Sequence, residues 1–135
     1  MSPVKDERRS LTLGLFACLE SATGLGLLLM PGMIIGLLLG LVQPPPETLL
    51  LARLAGAALL ALGAASWGAR IFHRSPAGIG LLIGVTLYNA VAAAILAYAA
   101  LGLKMQGVLL WPAALCHAAL LMWCLASALR ILRLR

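Results

Sequence analysis

Charged side chains are scarce in this sequence. Only 10% of the 135 residues are charged and only 4 are acidic, whereas an ordinary soluble domain is about 25% charged. Hydrophobic residues make up 63% of the chain, against about 45–50% in soluble domains. A soluble fold of this size cannot bury so much apolar surface. The composition therefore indicates a membrane protein, and we expect it to interact with the lipid bilayer.

Sequence patterns typical of catalytic and metal sites are also missing. There is no nucleophile elbow, phosphate loop, HExxH or paired-carboxylate spacing. The 3 cysteines, Cys18, Cys116 and Cys124, are odd in number and show no CxxC spacing, which argues against a disulfide framework or a zinc site. We expect them to be buried as small hydrophobes. The sequence thus predicts no catalytic residue, no metal and no cofactor, and a protein that is not an enzyme.

The net charge of +6 does not form a patch in which basic and aromatic residues alternate. The basic residues instead cluster at the ends of apolar runs, where membrane topology explains them. Nucleic acid is therefore not expected as a partner.

Four apolar runs are long enough to cross a bilayer, which takes about 20 residues. They cover residues 11–30, 48–70, 77–101 and 108–129. We therefore predict an all-α fold, a four-helix transmembrane bundle that forms a single domain over residues 1–135. The first run is too long for a signal peptide, so we expect it to remain as the first span.

Residues 32–42 are apolar but too few to cross alone. Joined to the first run they would make a helix of roughly 46 Å, longer than a hydrocarbon core of about 30 Å. Because Pro31 interrupts the run, we predict a bend there, followed by a short interfacial or re-entrant helix. Glycines at every fourth position, Gly32, Gly36 and Gly40, predict a smooth face for another helix or another copy of the chain.

Small residues also mark the longer runs. Gly56 and Gly63 in the second run, and Gly80 and Gly84 in the third, allow close approach of helix backbones. Trp67 lies toward the end of its run, as the aromatic residues of membrane interfaces do.

The basic residues predict the orientation. With both termini inside, one side holds eight basic residues and the other holds two, Lys104 and the more deeply placed Arg53. The positive-inside rule then predicts that the N- and C-termini lie in the cytoplasm. The eight are Lys5, Arg8, Arg9, Arg70, Arg74, Arg130, Arg133 and Arg135.

Each apolar run contains a polar residue: Glu20, Arg53, Asn89 and His117 in turn. Ionisable residues inside a membrane are costly and are by default candidates for function. At about 1.5 Å per residue, Glu20, Asn89 and His117 lie near the bilayer midplane, where we expect them to meet. Arg53 lies nearer the outer surface, within reach of Glu47 or water, and Tyr88 is a further polar neighbour.

Two interpretations of this polar group remain open. The favoured one is a structural hydrogen-bond cluster that fixes the register of the helices. The other is a site for a small molecule, a quinone or a proton, since His117 titrates near neutrality. Haem is disfavoured because the only other histidine, His73, lies at the cytoplasmic boundary. A metal would need more ligands than one His and one Glu.

Three long segments resemble small bacterial four-span inner-membrane proteins of the DoxX-like and related groups. They are LARLAGAALLALGAASWGAR at 51–70, LYNAVAAAILAYAALG at 87–102 and LLWPAALCHAALLMWCLAS at 109–127. The resemblance implies a four-helix membrane fold and a location in the bacterial inner membrane. Because DoxX-like proteins include a membrane subunit linked to quinone-dependent sulfur oxidation, it also implies a quinone-facing or accessory role. It assigns no catalytic residue.

The sequence therefore predicts a non-enzymatic accessory or oligomerising subunit, either a homo-oligomer or part of a membrane complex. The alternative is a carrier or binding protein. Its ligand would be a small molecule, a quinone or a proton, held by Glu20, Asn89, His117, Arg53 and Tyr88.

Overall fold

The computed structural model describes residues 3–71 and 75–132, without the side chains of 3–9, 12 and 127–132. These residues form five α-helices and no strand. The fold class predicted from the sequence is confirmed: four long helices, with a short apolar helix after the first. The helices are α1 (Pro3–Leu29), α2 (Pro31–Leu39), α3 (Pro46–Ala69), α4 (Pro76–Leu101) and α5 (Leu110–Leu132).

Prolines mark the helix starts. Pro31, Pro46 and Pro76 are the first residues of α2, α3 and α4. A proline suits this position because its φ is already helical and its missing N–H would have no partner in the first turn. Ser75 caps α4, since its hydroxyl oxygen accepts a hydrogen bond of 3.0 Å from the amide of Gly78.

The predicted bend at Pro31 is present. Leu13–Leu29 and Pro31–Leu39 are inclined at 115° across Met30. The break lies where proline removes a backbone donor from the helix. At about 1.5 Å per residue, α2 is roughly 14 Å long and cannot cross a core of about 30 Å by itself.

By length and composition, α3 and α4 can each cross a membrane, and the bent pair α1–α2 can count as a third span. The apolar part of α5, Leu110–Ala126, is shorter. The chain is thus a helical membrane protein, and the count of four spans stays a prediction. Of the basic residues used to predict orientation, Arg74, Arg133 and Arg135 lie outside the described residues, as do the side chains of Lys5, Arg8, Arg9 and Arg130.

The described residues belong to two compact units. One is drawn from Met1–Ile35 and Val42–Leu81, and the other from Gly36–Leu41 and Leu82–Arg135. The prediction of a single domain over 1–135 stays a prediction.

In the first unit, α1 packs against α3. Gly24 lies against Gly56, and Ala17 and Ser21 lie against Gly63, so the two helices run antiparallel. The buried residues of each helix recur at spacings of three, four or seven, as in a packed helix pair. On α1 they include Leu13, Ala17, Glu20, Gly24 and Leu27, and on α3 Ala52, Gly56, Gly63 and Ser66.

Glycines allow this close packing, as the sequence predicts for Gly56 and Gly63. A Cβ added at Gly56 would meet the carbonyl oxygen of Gly24 at 2.7 Å, and one added at Gly63 would overlap the Ser21 hydroxyl. Gly80 and Gly84 differ: an added Cβ would meet no described atom within 4 Å. Their predicted close contact is therefore not made within the described chain.

In the second unit, the end of α2 meets the connection between α4 and α5. The amide of Leu109 donates a 2.9 Å hydrogen bond to the carbonyl oxygen of Leu37, one of the carbonyls that a helix end leaves without a partner. Gly40 ends α2 with a φ of 78°. A Cβ on Gly40 would lie 3.3 Å from Gly107, and one on Gly107 would overlap the Leu38 carbonyl. Gly40, which the sequence predicts as part of a smooth helix face, therefore allows the chain to turn at the end of α2.

Candidate functional site

Asn89 is the most deeply buried polar residue of α4. Its side chain is 0% exposed. The amide nitrogen, Nδ2, donates a 2.8 Å hydrogen bond to the carbonyl oxygen of Val85, one turn earlier in the same helix. The amide oxygen, Oδ1, is left to accept a hydrogen bond from another element.

His117 of α5 supplies that bond. Its Nδ1 lies 2.9 Å from Oδ1 of Asn89. An amide oxygen only accepts hydrogen bonds, so the ring donates through a protonated Nδ1. In the neutral ring this assignment leaves a lone pair on Nε2. The pair joins two helices of the second unit and fixes the tautomer of the histidine.

Tyr88 completes this group. Its ring meets the ring of His117 edge to face, with the centroids 5.5 Å apart and the planes at 81°, an arrangement that aromatic rings prefer. Both side chains are half-buried. The structure thus brings together Asn89, His117 and Tyr88, three of the five residues that the sequence singles out.

A second polar contact joins the same two helices. The Thr86 hydroxyl donates a 2.7 Å hydrogen bond to the carbonyl oxygen of Leu82 and makes a side-chain hydrogen bond with Cys124. Sequence reasoning missed this role for Cys124. The usable signal was spacing: Thr86 lies three residues before Asn89 and Cys124 seven after His117, so each pair shares a helix face.

The cysteine prediction is right for Cys124, which is buried, and wrong for Cys18 and Cys116, which are exposed. A cysteine in a spanning helix can face lipid as readily as the interior, because its thiol behaves as a small hydrophobe in both places.

Glu20 and Arg53 belong to the first unit. Glu20 is only 4% exposed and lies in the buried face of α1, between Ala17 and Gly24. Arg53 and Glu47 are exposed on α3. The predicted bonds from Glu20 to Asn89 or His117 stay predictions.

Ser66 of α3 is a buried polar residue that sequence reasoning missed. It is 0% exposed, and its hydroxyl has no hydrogen-bond partner among the described residues. Serine is common in helices, so nothing in the sequence distinguishes this position from an exposed one.

The described residues contain no group of three or more His, Cys, Asp and Glu side chains that could hold a metal ion. His73, the second histidine of the sequence, lies outside them. The Asn89–His117 pair can instead hold two helices in register, or present Nε2 of His117 to a proton or a hydrogen-bond donor.

Comparisons with known proteins identify no family for this chain. The chain matches no family model, no curated protein and no solved structure.

Proposed function

We propose that the protein is a non-enzymatic multi-pass protein of the bacterial inner membrane, an accessory or oligomerising subunit of a membrane complex. The observation that carries the proposal is the Asn89–His117 hydrogen bond. Asn89 uses both ends of its amide within the protein and is 0% exposed. A side chain bound at both ends and fully buried in this way holds helices together.

Physical cost explains why a membrane helix would keep such residues. A polar group without a partner in hydrocarbon is strongly disfavoured, so Asn89 and His117 favour the one register in which they meet. The bond between Thr86 and Cys124 joins the same two helices and favours the same register. The polar groups of α4 and α5 thus hold the two helices in one register.

An oligomerising role is supported by an open face on α4. Gly80 and Gly84 lie one turn apart, with no described atom within 4 Å of an added Cβ. Large apolar side chains, Ile79, Ile83 and Leu87, are exposed beside them. Small residues spaced by four, set among apolar ones, are typical of helix contacts between membrane subunits.

The proposed topology has four spans, formed by α1, α3, α4 and α5, with both termini in the cytoplasm. Arg70 then lies on the cytoplasmic side and Lys104 on the outer side. The excess of basic residues inside supports this orientation.

Native mass spectrometry from a mild detergent tests the proposal, because it shows the oligomeric state and any co-purifying subunit together. We expect an oligomer or a stable complex from the parent chain. Gly84→Leu should lower its population, because the new side chain holds the second helix away. Gly68→Leu, at an equally open glycine of α3, is the matched control. A monomeric parent without a partner would refute the proposal.

The alternative is a carrier or binding protein, and the tautomer of His117 favours it. Because Nδ1 donates to Asn89, Nε2 can accept a hydrogen bond from a ligand such as a quinol hydroxyl, in line with the DoxX-like resemblance. A water-soluble quinol analogue separates the two proposals. If it raises the melting temperature of the parent but not of His117→Ala, the binding function replaces the structural one.

A further inference from the structure

We propose that a groove between α1 and α3 binds one anionic phospholipid, with an acyl chain in the groove and the phosphate at Arg70. The proposal uses only residues of the first unit and does not depend on the role of Asn89 and His117.

The groove has a volume of about 230 Å³. This is below the roughly 300–1,000 Å³ of sites for drug-sized ligands, so it fits a segment of a flexible chain better than a whole compact molecule. Its walls come from both helices: Ala17, Cys18 and Ser21 of α1, and Gly63, Ala64 and Trp67 of α3.

Small residues create this groove. Gly63 has no side chain, and it packs so closely against Ala17 and Ser21 that the two backbones nearly touch. Ala17, Ser21 and Ala64, which also line the groove, have small side chains as well. Cys18 is exposed, and a free thiol acts as a small hydrophobe. The walls therefore suit the methylene groups of an acyl chain.

A positive charge is held beside the groove. Arg70 caps the C-terminal end of α3, and the carbon of its guanidinium lies 3.5 Å from the ring centroid of Trp67. Trp67 itself lines the groove and is 48% exposed. Tryptophan and arginine at the end of a spanning helix lie at the level of the lipid headgroups, and a guanidinium binds phosphate in a two-point geometry.

Charge complementarity favours a lipid over a second copy of the chain. The protein has a net charge of +6 and only 4 acidic residues, so another copy offers little negative charge to Arg70. An anionic phospholipid offers a phosphate and an acyl chain joined together, which matches a charged end on an apolar groove.

The test is native mass spectrometry of the full chain in detergent, with equal amounts of phosphatidylglycerol and phosphatidylcholine. We expect the parent to retain phosphatidylglycerol preferentially. Arg70→Gln should lower this preference about fivefold, the effect of one basic residue at an anionic surface. Lys104→Gln makes the same charge change in the second unit, away from the groove, and should leave the preference unchanged.

A second pair of variants tests the groove. Ala64→Phe should fill it and release the retained lipid, whereas Ala58→Phe, an exposed alanine of α3 outside the lining, should not. Circular dichroism checks that each variant stays helical, and Arg70→Lys, which keeps the charge, should keep most of the preference. Equal retention of both lipids by the parent, equal losses in Arg70→Gln and Lys104→Gln, or an Ala64→Phe effect on a dimer but not on lipid would overturn the proposal.

Discussion

At the residue scale, two buried polar side chains of this protein contrast with each other. Asn89 has both ends of its amide bound, whereas the Ser66 hydroxyl has no partner among the described residues. A bound polar group stabilises a helix contact, while a buried unbound one costs about 1–3 kcal/mol. The two sites should therefore respond to substitution in opposite directions.

We expect Ser66→Ala to raise the free energy of unfolding by about 1 kcal/mol, because it removes a buried group that has no hydrogen bond. Reversible unfolding in mixed micelles measures this change. Thr86→Val is the control with a hydroxyl that does have partners, and it should lower the value by about 1 kcal/mol. A loss of stability in Ser66→Ala would show that its hydroxyl is bound.

The Asn89–His117 bond gives a second prediction at this scale. A double-mutant cycle with Asn89→Ala and His117→Ala should give a coupling free energy of about 0.6 kcal/mol and at most about 1.7 kcal/mol, the average and the maximum measured for hydrogen bonds between membrane helices. The same unfolding experiment measures it. Two independent, additive losses would mean that the bond contributes nothing to stability.

The sequence predicts Asn89 and His117 as special residues because each interrupts an otherwise apolar run. Their meeting follows from the cost of a lone polar group in hydrocarbon. The burial of Ser66 and the exposure of Cys18 and Cys116 could not be predicted, because serine and cysteine fit both lipid-facing and buried positions. Which nitrogen of His117 carries the proton also required the structure, since only the amide geometry of Asn89 decides it.

At the scale of elements, the contact between α1 and α3 depends on glycine. A Cβ at Gly56 would meet the backbone oxygen of Gly24 at 2.7 Å, and backbone cannot move aside as the end of a flexible side chain can. The two helices would have to separate.

We expect Gly56→Ala to lower the free energy of unfolding by about 2 kcal/mol, within the usual cost of overpacking. Gly68→Ala is the matched control, because it makes the same change on the same helix with open space around the added Cβ. It should be neutral or raise stability by up to about 1 kcal/mol, because alanine favours helix more than glycine does. Equal effects of both variants would show that α1 and α3 are not in backbone contact.

Glycine spacing in the sequence predicts this interface for Gly56 and Gly63 but misleads at α2. Gly40 lies in the same four-residue repeat as Gly32 and Gly36, yet it supplies a positive φ at the helix end. A sequence does not distinguish a glycine that admits a neighbouring helix from one that turns the chain. The prolines are more reliable, because proline suits a helix start and disrupts a helix interior.

At the scale of the whole molecule, composition determines the class. A chain with 63% hydrophobic residues needs a bilayer, and the long apolar helices agree with that. The number of spans is harder to predict, because the apolar part of α5 is short and α1 bends into α2. Orientation depends on charges at the helix ends.

We expect Lys104→Cys to be labelled by a membrane-impermeant maleimide in intact spheroplasts, and Ser75→Cys only after the membrane is permeabilised. Both changes are made in a chain whose three native cysteines are replaced by alanine, which serves as the unlabelled control. The positive-inside rule places these two loops on opposite sides. Labelling of Ser75→Cys alone would show that the topology is the inverse of the proposed one. Equal labelling of both variants would show that α4, which lies between them, does not span the membrane.

The hydrogen bond from Leu109 to Leu37 also has a consequence for biogenesis. A chain enters the membrane from its N-terminus during synthesis, so α2 leaves the ribosome long before Leu109 is made. Until then the Leu37 carbonyl lacks this partner, so we expect α2 to lie at the membrane interface, where water can bind the carbonyl. We therefore expect the short helix to take its final place only after α4 is inserted, and a chain truncated before Leu109 to leave α2 accessible to protease.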